Sequence, residues 1–222
     1  MSRPSTLLLG AALLTLFSTA HADQPMLYPT GPAEDASFVR FVDGLDTPLS
    51  VIASKDARIE LTPAASSTTW MPVKARSPLG ATLQQGGQGK KIEVSVQPSE
   101  FVTVAAVYEG ASGWRTETAR ETPTDFSAHK VSLGLMNLAS ECASASVKVA
   151  GREIAIVEDV APRAIKRRQI NPVALSVELY CQGTKTGEPA DLGSLRAGER
   201  WTLMVRPTAT GARLQPILDR MP

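Results

Sequence analysis

Hydrophobic and polar positions alternate with period two along most of the chain, in short stretches closed by turn residues. Residues 37–42 (SFVRFV), 92–96 (IEVSV) and 173–180 (VALSVELY) alternate, and the last sets Val173, Leu175, Val177 and Leu179 on one face. Successive side chains of a strand point to opposite faces, so each stretch reads as a strand with one face buried. Residues 101–108 (FVTVAAVY), 130–138, 147–150, 154–157 and 201–205 add further strands, with Gly, Pro, Asp and Asn between them. No stretch keeps apolar residues at i, i+3, i+4 and i+7 for three turns, and residues 161–169 hold the one candidate for a turn or two of helix. The expected class is all-β.

A repeat divides the chain. Residues 89–98 (GKKIEVSVQP) line up with 198–207 (GERWTLMVRP), an offset of 109, each reading as turn, strand and proline stop. Leu79-Gly80 and Leu192-Gly193 precede the two segments, and the opening strand 37–43 has a counterpart in 131–137. Between the copies, residues 110–127 (GASGWRTETARETPTDFS) are polar, Thr-rich and poor in aliphatics, the composition of an interdomain linker. The expectation is two tandem small antiparallel β-sandwich domains, residues 23–109 and 128–222, joined by this short polar linker.

Residues 1–22 read as an export signal. Arg3 supplies the positive start, residues 7–17 are apolar apart from Gly10 and Thr15, and Ala20-His21-Ala22 is a small-x-small cleavage site before Asp23. No Cys follows the apolar run, and no later run approaches the length of a membrane span, so a periplasmic, non-membrane-spanning product is expected. Export also bears on the two cysteines, Cys142 and Cys181. An even count in an oxidising compartment points to a disulfide, the alternative being two buried thiols.

Composition narrows the function. With 43% hydrophobic residues among 222, the chain has enough apolar material for packed cores and is not a disordered or fibrous protein. A formal net charge of +1 lacks the cationic face that nucleic acid requires. The charge is unevenly shared, however: residues 23–109 carry seven basic and ten acidic side chains, and 128–222 thirteen and nine, so the halves attract each other. Arg163, Lys166, Arg167 and Arg168 cluster in the second half, as a contact for an acidic partner or glycan or as a solvated loop.

A serine nucleophile needs a base, and beyond the leader the chain has a single histidine, His129. Asp125 precedes it by four positions, one more than the Asp-x-x-His spacing of SGNH-type esterases, and neither a Gly-Asp-Ser block nor Gly-x-Ser-x-Gly is present. One His with two distant Cys makes no recognisable zinc site, and no glycine loop leads from a strand into a helix to hold phosphate. No catalytic residue, cofactor or metal is therefore expected. The remaining candidates are aromatic. Trp201 starts a strand at the place of Ile92 in the first copy and reads as core, whereas Trp70 and Trp114 are candidates for stacking on a sugar or anchoring a protein, or for covering an edge of their own domain.

Residues 27–32 (LYPTGP) with 37–42, residues 169–173 (QINPV) before an alternating strand, and 194–199 (SLRAGE) with Leu214-Gln215-Pro216 resemble the AlgF family, accessory proteins of alginate O-acetylation. The middle of the first half and the cysteine pair depart from the family pattern, so cellulose fits as acceptor polymer as well as alginate. The resemblance implies a non-catalytic periplasmic component that bridges a membrane-bound O-acyltransferase and a periplasmic SGNH-type acetyltransferase. A polysaccharide-binding module and a periplasmic chaperone-like sandwich are the alternatives.

Overall fold

The alternating segments become strands, and their apolar faces meet in pairs. A computed structural model describes residues 36–54, 57–124 and 126–221; the expected leader, residues 1–22, lies outside the described residues. The first half contains β1 (Ala36–Gly44), β2 (Leu49–Ile52), β3 (Arg58–Leu61), β4 (Met71–Lys74), β5 (Pro78–Gln85), β6 (Gln88–Ser95), β7 (Phe101–Tyr108) and β8 (Trp114–Glu121). The second contains β9 (Val131–Asn137), β10 (Ala145–Val149), β11 (Ala155–Val160), β12 (Ile165–Ile170), β13 (Ala174–Cys181), β14 (Thr184–Ser194), β15 (Arg200–Thr208) and β16 (Gly211–Leu218). All of them belong to one unit, Pro32–Pro222.

The two halves repeat one topology. Sheets ordered β4-β1-β7-β8 and β3-β2-β5-β6 in the first half match sheets β12-β9-β15-β16 and β11-β10-β13-β14 in the second. In each half one pair is parallel, β1 with β7 and β9 with β15, and every other pair is antiparallel. The expected all-β pair of sandwiches is thus present, and so is the equivalence of 37–43 with 131–137. The matched register of the repeat is different: β15 corresponds in topology to β7, not to the segment 89–98 in β6. Turn-strand-proline is too generic a pattern to distinguish neighbouring strands.

Three cores separate four layers. Val39, Phe41, Val102 and Val104 of the first inner sheet pack against Leu49, Val51 and Leu83 of its outer sheet. Leu133, Leu135 and Leu203 pack in the same way against Val147, Val177 and Leu179. The third core lies between the inner sheets, where Val42, Ala105, Val107 and Ala119 meet Met136, Leu138, Met204 and Ile217. The side chains are small on one side and long on the other, so the second half fills hollows left by the first. Gly44 belongs to this fit, since a Cβ there would stand 2.7 Å from the Ala106 carbonyl oxygen and 3.1 Å from Met204 Cε.

This seam corrects two expectations. Residues 110–127 are not a free linker, because a 3-10 turn at Gly110–Ser112 and strand β8 occupy them through Glu121. The Thr and Glu positions that made the stretch look like a linker alternate along β8, where Glu117 and Ala119 are buried. The segment 161–169 holds no helix, since β12 begins at Ile165 and pairs with β9 from Ile165↔Met136 to Ile170↔Val131. The expected cysteine pairing is present: Cys142 and Cys181 are disulfide-bonded with Cα atoms 5.1 Å apart.

The ends of β1 and β9 differ in one informative residue. Asp43 Oδ1 accepts the Leu45 amide, and Asn137 Oδ1 accepts the Ala139 amide, the same turn in each half. Asn137 also donates to the Cys142 and Val160 carbonyls, whereas Asp43 Oδ2 is buried without a partner among the described residues. Burial therefore raises the Asp43 pKa to about 6, despite the Leu45 amide and Arg206. A raised carboxylate pKa favours the native state in acid and costs stability as pH rises through 6. Asp43→Asn is expected to gain about 1 kcal/mol at pH 8, after allowance for screening, and to flatten the stability profile between pH 4 and 6. Urea unfolding across that range measures it, and an unchanged slope would refute it.

Candidate functional site

The polar residues of the fold converge on the seam. Arg40, in the middle of β1, is 1% exposed and donates from Nε to Thr103 Oγ1 (2.9 Å), from Nη1 to Asp219 Oδ1 (2.5 Å) and from Nη2 to Thr202 Oγ1 (3.0 Å). Arg167, on β12, donates from Nε to Glu121 Oε2 (2.6 Å) and from Nη2 to Asp219 Oδ2 (2.8 Å). Each guanidinium thus reaches a carboxylate of the opposite half, and Asp219 joins the two. Gly134 makes room for this: a Cβ there would lie 2.9 Å from Arg167 Nη1. Burial pushes the Asp219 carboxyl up, but the two guanidiniums outweigh it and hold the group below the usual carboxylate range.

Around this centre run further bonds between the halves. Arg163 clasps Glu117 from Nε (2.8 Å) and Nη2 (3.2 Å), and Arg206 reaches the Gly44 carbonyl (3.0 Å) and Asp46 Oδ1 (2.6 Å). The Trp70 amide donates to the Arg220 carbonyl, and Gln215 Nε2 to that of Asp43. Arg206 of the basic half meets Asp46 of the acidic one, while Arg163 and Arg167 meet Glu117 and Glu121 of β8, in the stretch between the two counted halves, so most of the pairing across the seam was not contained in the net-charge difference.

The sequence-derived site residues fall in three places. Trp70 and Trp114 are each 2% exposed, and Trp114 forms part of the lining of a cleft at the end of the seam. Trp70 lies under the Arg40 guanidinium at 4.3 Å and edge-on to Phe101, and Trp114 packs in the first core. The basic cluster is divided by the alternation of β12 and its preceding turn. Arg163 and Arg167 turn into the seam, while Lys166 Nζ donates to the Glu158 carbonyl and Arg168 Nη1 to those of Ala155 and Ile156. Lys166 and Arg168 thereby cover carbonyls of the edge strand β11. Trp201 is half-buried against the second core, with Nε1 donating to Glu199.

His129 is exposed on the segment before β9, and among the described residues its ring makes no hydrogen bond. No group of three or more His, Cys, Asp or Glu suited to a metal occurs among the described residues. At the far end of the seam the turns leave a cleft of about 530 Å³ lined by Tyr108, Gln85, Gln88, Thr47, Thr208 and Arg206. Arg40, Asp219 and Thr202 are not among the candidates drawn from the sequence, because Arg40 meets Thr202 and Asp219 only across separations of 162 and 179 residues. The usable signal was the setting of Arg40: the flanking residues on its own face, Phe38 and Val42, are both apolar, which does not suit a solvated face.

Residues 9–201 match the family model described as "Alginate O-acetyl transferase AlgF". The chain is 26% identical to the alginate biosynthesis protein AlgF of Pseudomonas aeruginosa over 91% of this chain and 87% of that one. It is 25% identical to the protein of the same name from Pseudomonas fluorescens, over 98% of this chain and 93% of that one. Among solved structures, the C-terminal domain of AlgF from P. aeruginosa is similar at 25% identity, covering 40% of this chain and 98% of that domain, with a TM-score of 0.35. No helix among the described residues is long and apolar enough to cross a membrane. With a match that spans most of its length, the chain belongs to the AlgF family.

Proposed function

We propose that this protein is a non-catalytic periplasmic adaptor in the O-acetylation of an exopolysaccharide, alginate or cellulose, linking a membrane-bound O-acyltransferase to a periplasmic SGNH-type acetyltransferase. The observation that carries the reading is family membership along residues 9–201, in a family whose relatives are named for alginate biosynthesis. The fused halves support the adaptor mechanism. A body with a buried core and ion pairs across its seam keeps surfaces on its two ends at a fixed spacing, and two bound enzymes then stay at high effective concentration.

A deletion strain is expected to lose most polymer O-acetyl groups and to regain them with the full chain, while the purified protein retains the acetyltransferase and leaves an activated acetyl ester intact. Normal acetylation in the deletion strain, or ester turnover mapped to a side chain of this protein, would overturn the reading. Retention of the purified chain on alginate or cellulose without retention of either enzyme would favour glycan binding in its place.

A further inference from the structure

Four of the five large hydrophobic side chains exposed among the described residues lie on one continuous surface that runs from the second half to the seam, where the Phe126 ring stands 6.4 Å from that of Phe101. They are Phe126 (61% exposed), Ile154 (54%), Val173 (50%) and Met221 (43%). Ile154 and Val173 flank a groove where the second sandwich opens between β11 and the start of β13, floored by Val149 and Ile170. Phe126 and Met221 line a second groove, and the two share Lys130 and Gln169 on their walls. Water-exposed apolar side chains gathered in this way mark a surface that is covered in use.

Charge indicates what covers it. The groove of Ile154 and Val173 is lined by Lys130 and Arg168 and by no carboxylate. Among the described residues both cations hydrogen-bond only to neutral oxygens, Lys130 to Asn171 Oδ1 and Arg168 to the Ala155 and Ile156 carbonyls, and neither meets a carboxylate. In the adjoining groove Arg200 lies over the Phe126 ring at 4.8 Å, and Glu199 is engaged by Trp201 Nε1 and the Arg196 amide. We infer that this surface docks an extended segment of a partner protein that carries large apolar anchors flanked by acidic residues. Apolar anchors supply the affinity, and the two cations set orientation and association rate. The inference deepens the adaptor reading by assigning one docking face, and it rests on that reading only for the partner's identity.

Photo-crosslinking in the exporting strain tests it, with a photoreactive residue placed in the full chain at Val173, at Phe126 or, as control, at the exposed Ile59 of β3 in the first half. Positions 173 and 126 are expected to capture one and the same protein through a segment rich in Asp or Glu and large apolar residues, and position 59 is not. Lys130→Glu with Arg168→Glu should lower the yield about tenfold at unchanged melting temperature. If that pair fails to fold, Val173→Asp on the half-exposed position gives the same readout. Adducts only to lipid, to glycan or to a second copy, no adduct at all, or a yield indifferent to charge reversal would each overturn the assignment. An acidic partner from outside acetylation would keep this face and sink the adaptor reading. An acetyltransferase captured at 59 but not at 173 would do the reverse.

Discussion

Asp219→Ala is expected to destabilise the protein by about 3–5 kcal/mol, as removal of one member of a buried ion pair does. The Asp219 side chain is 1% exposed and accepts from Arg40, Arg167 and Thr202. Without it Arg167 keeps Glu121, but Arg40 is left 1% exposed with Thr103 and Thr202 as its remaining partners. The damage falls on the seam, so the two halves should separate in unfolding and the segment between β8 and β9 should become open to protease. The pH dependence has a definite sign. A carboxyl held below its ordinary value stabilises the fold above the unfolded pKa near 4 and loses that contribution as pH falls through the lower native value. Wild type should therefore lose stability in acid more steeply than the variant. Denaturant unfolding at pH 7 and pH 3 measures both effects, and a loss below about 1 kcal/mol at pH 7 would show that the third core holds the halves together without the network.

Replacing Cys142 and Cys181 together by Ser should cost about 4 kcal/mol, the chain-entropy value for cross-linking residues 39 apart in sequence. The bridge fastens the connection between β9 and β10 to the end of β13, beside the pair Ala145↔Cys181, and Cys142 is itself part of the second core. At this chain length the loss corresponds to a fall of about 10 °C in melting temperature. Reduced wild type should match the double variant. The first half should keep its protection in hydrogen exchange while β10 and β13 lose theirs, because the bridge belongs to the second core. A double variant that melts with wild type would make the disulfide incidental to the fold.

How much was legible depended on the range of the interaction. Period-two alternation gave the strands at 37–42, 92–96 and 173–180 because side-chain direction is a local property of extended backbone. The apolar run of 101–108 is equally readable: a strand apolar on both faces is buried on both, and β7 lies between the first core and the seam. The four-residue β3 and β4 and the polar β14 carry little pattern of their own and exist through pairing with β2, β1 and β13. Trp70 shows the same limit at a single residue. Its Ser/Thr-rich setting suggested exposure, and only the meeting of Arg40, Phe101 and the Arg220 carbonyl buries it.

By itself the chain's order of residues determined the all-β class, the twofold construction, the cysteine partner and the division into an acidic and a basic half, since each follows from composition or from short periodic runs. Tertiary structure alone decided that the halves share a third core, that Asp219 is the meeting point of two arginines, and that Lys130 and Arg168 line the groove beside Ile154 and Val173. Those outcomes depend on which faces meet across long sequence separations, where a shift of one residue in register sends every side chain to the other side of its sheet.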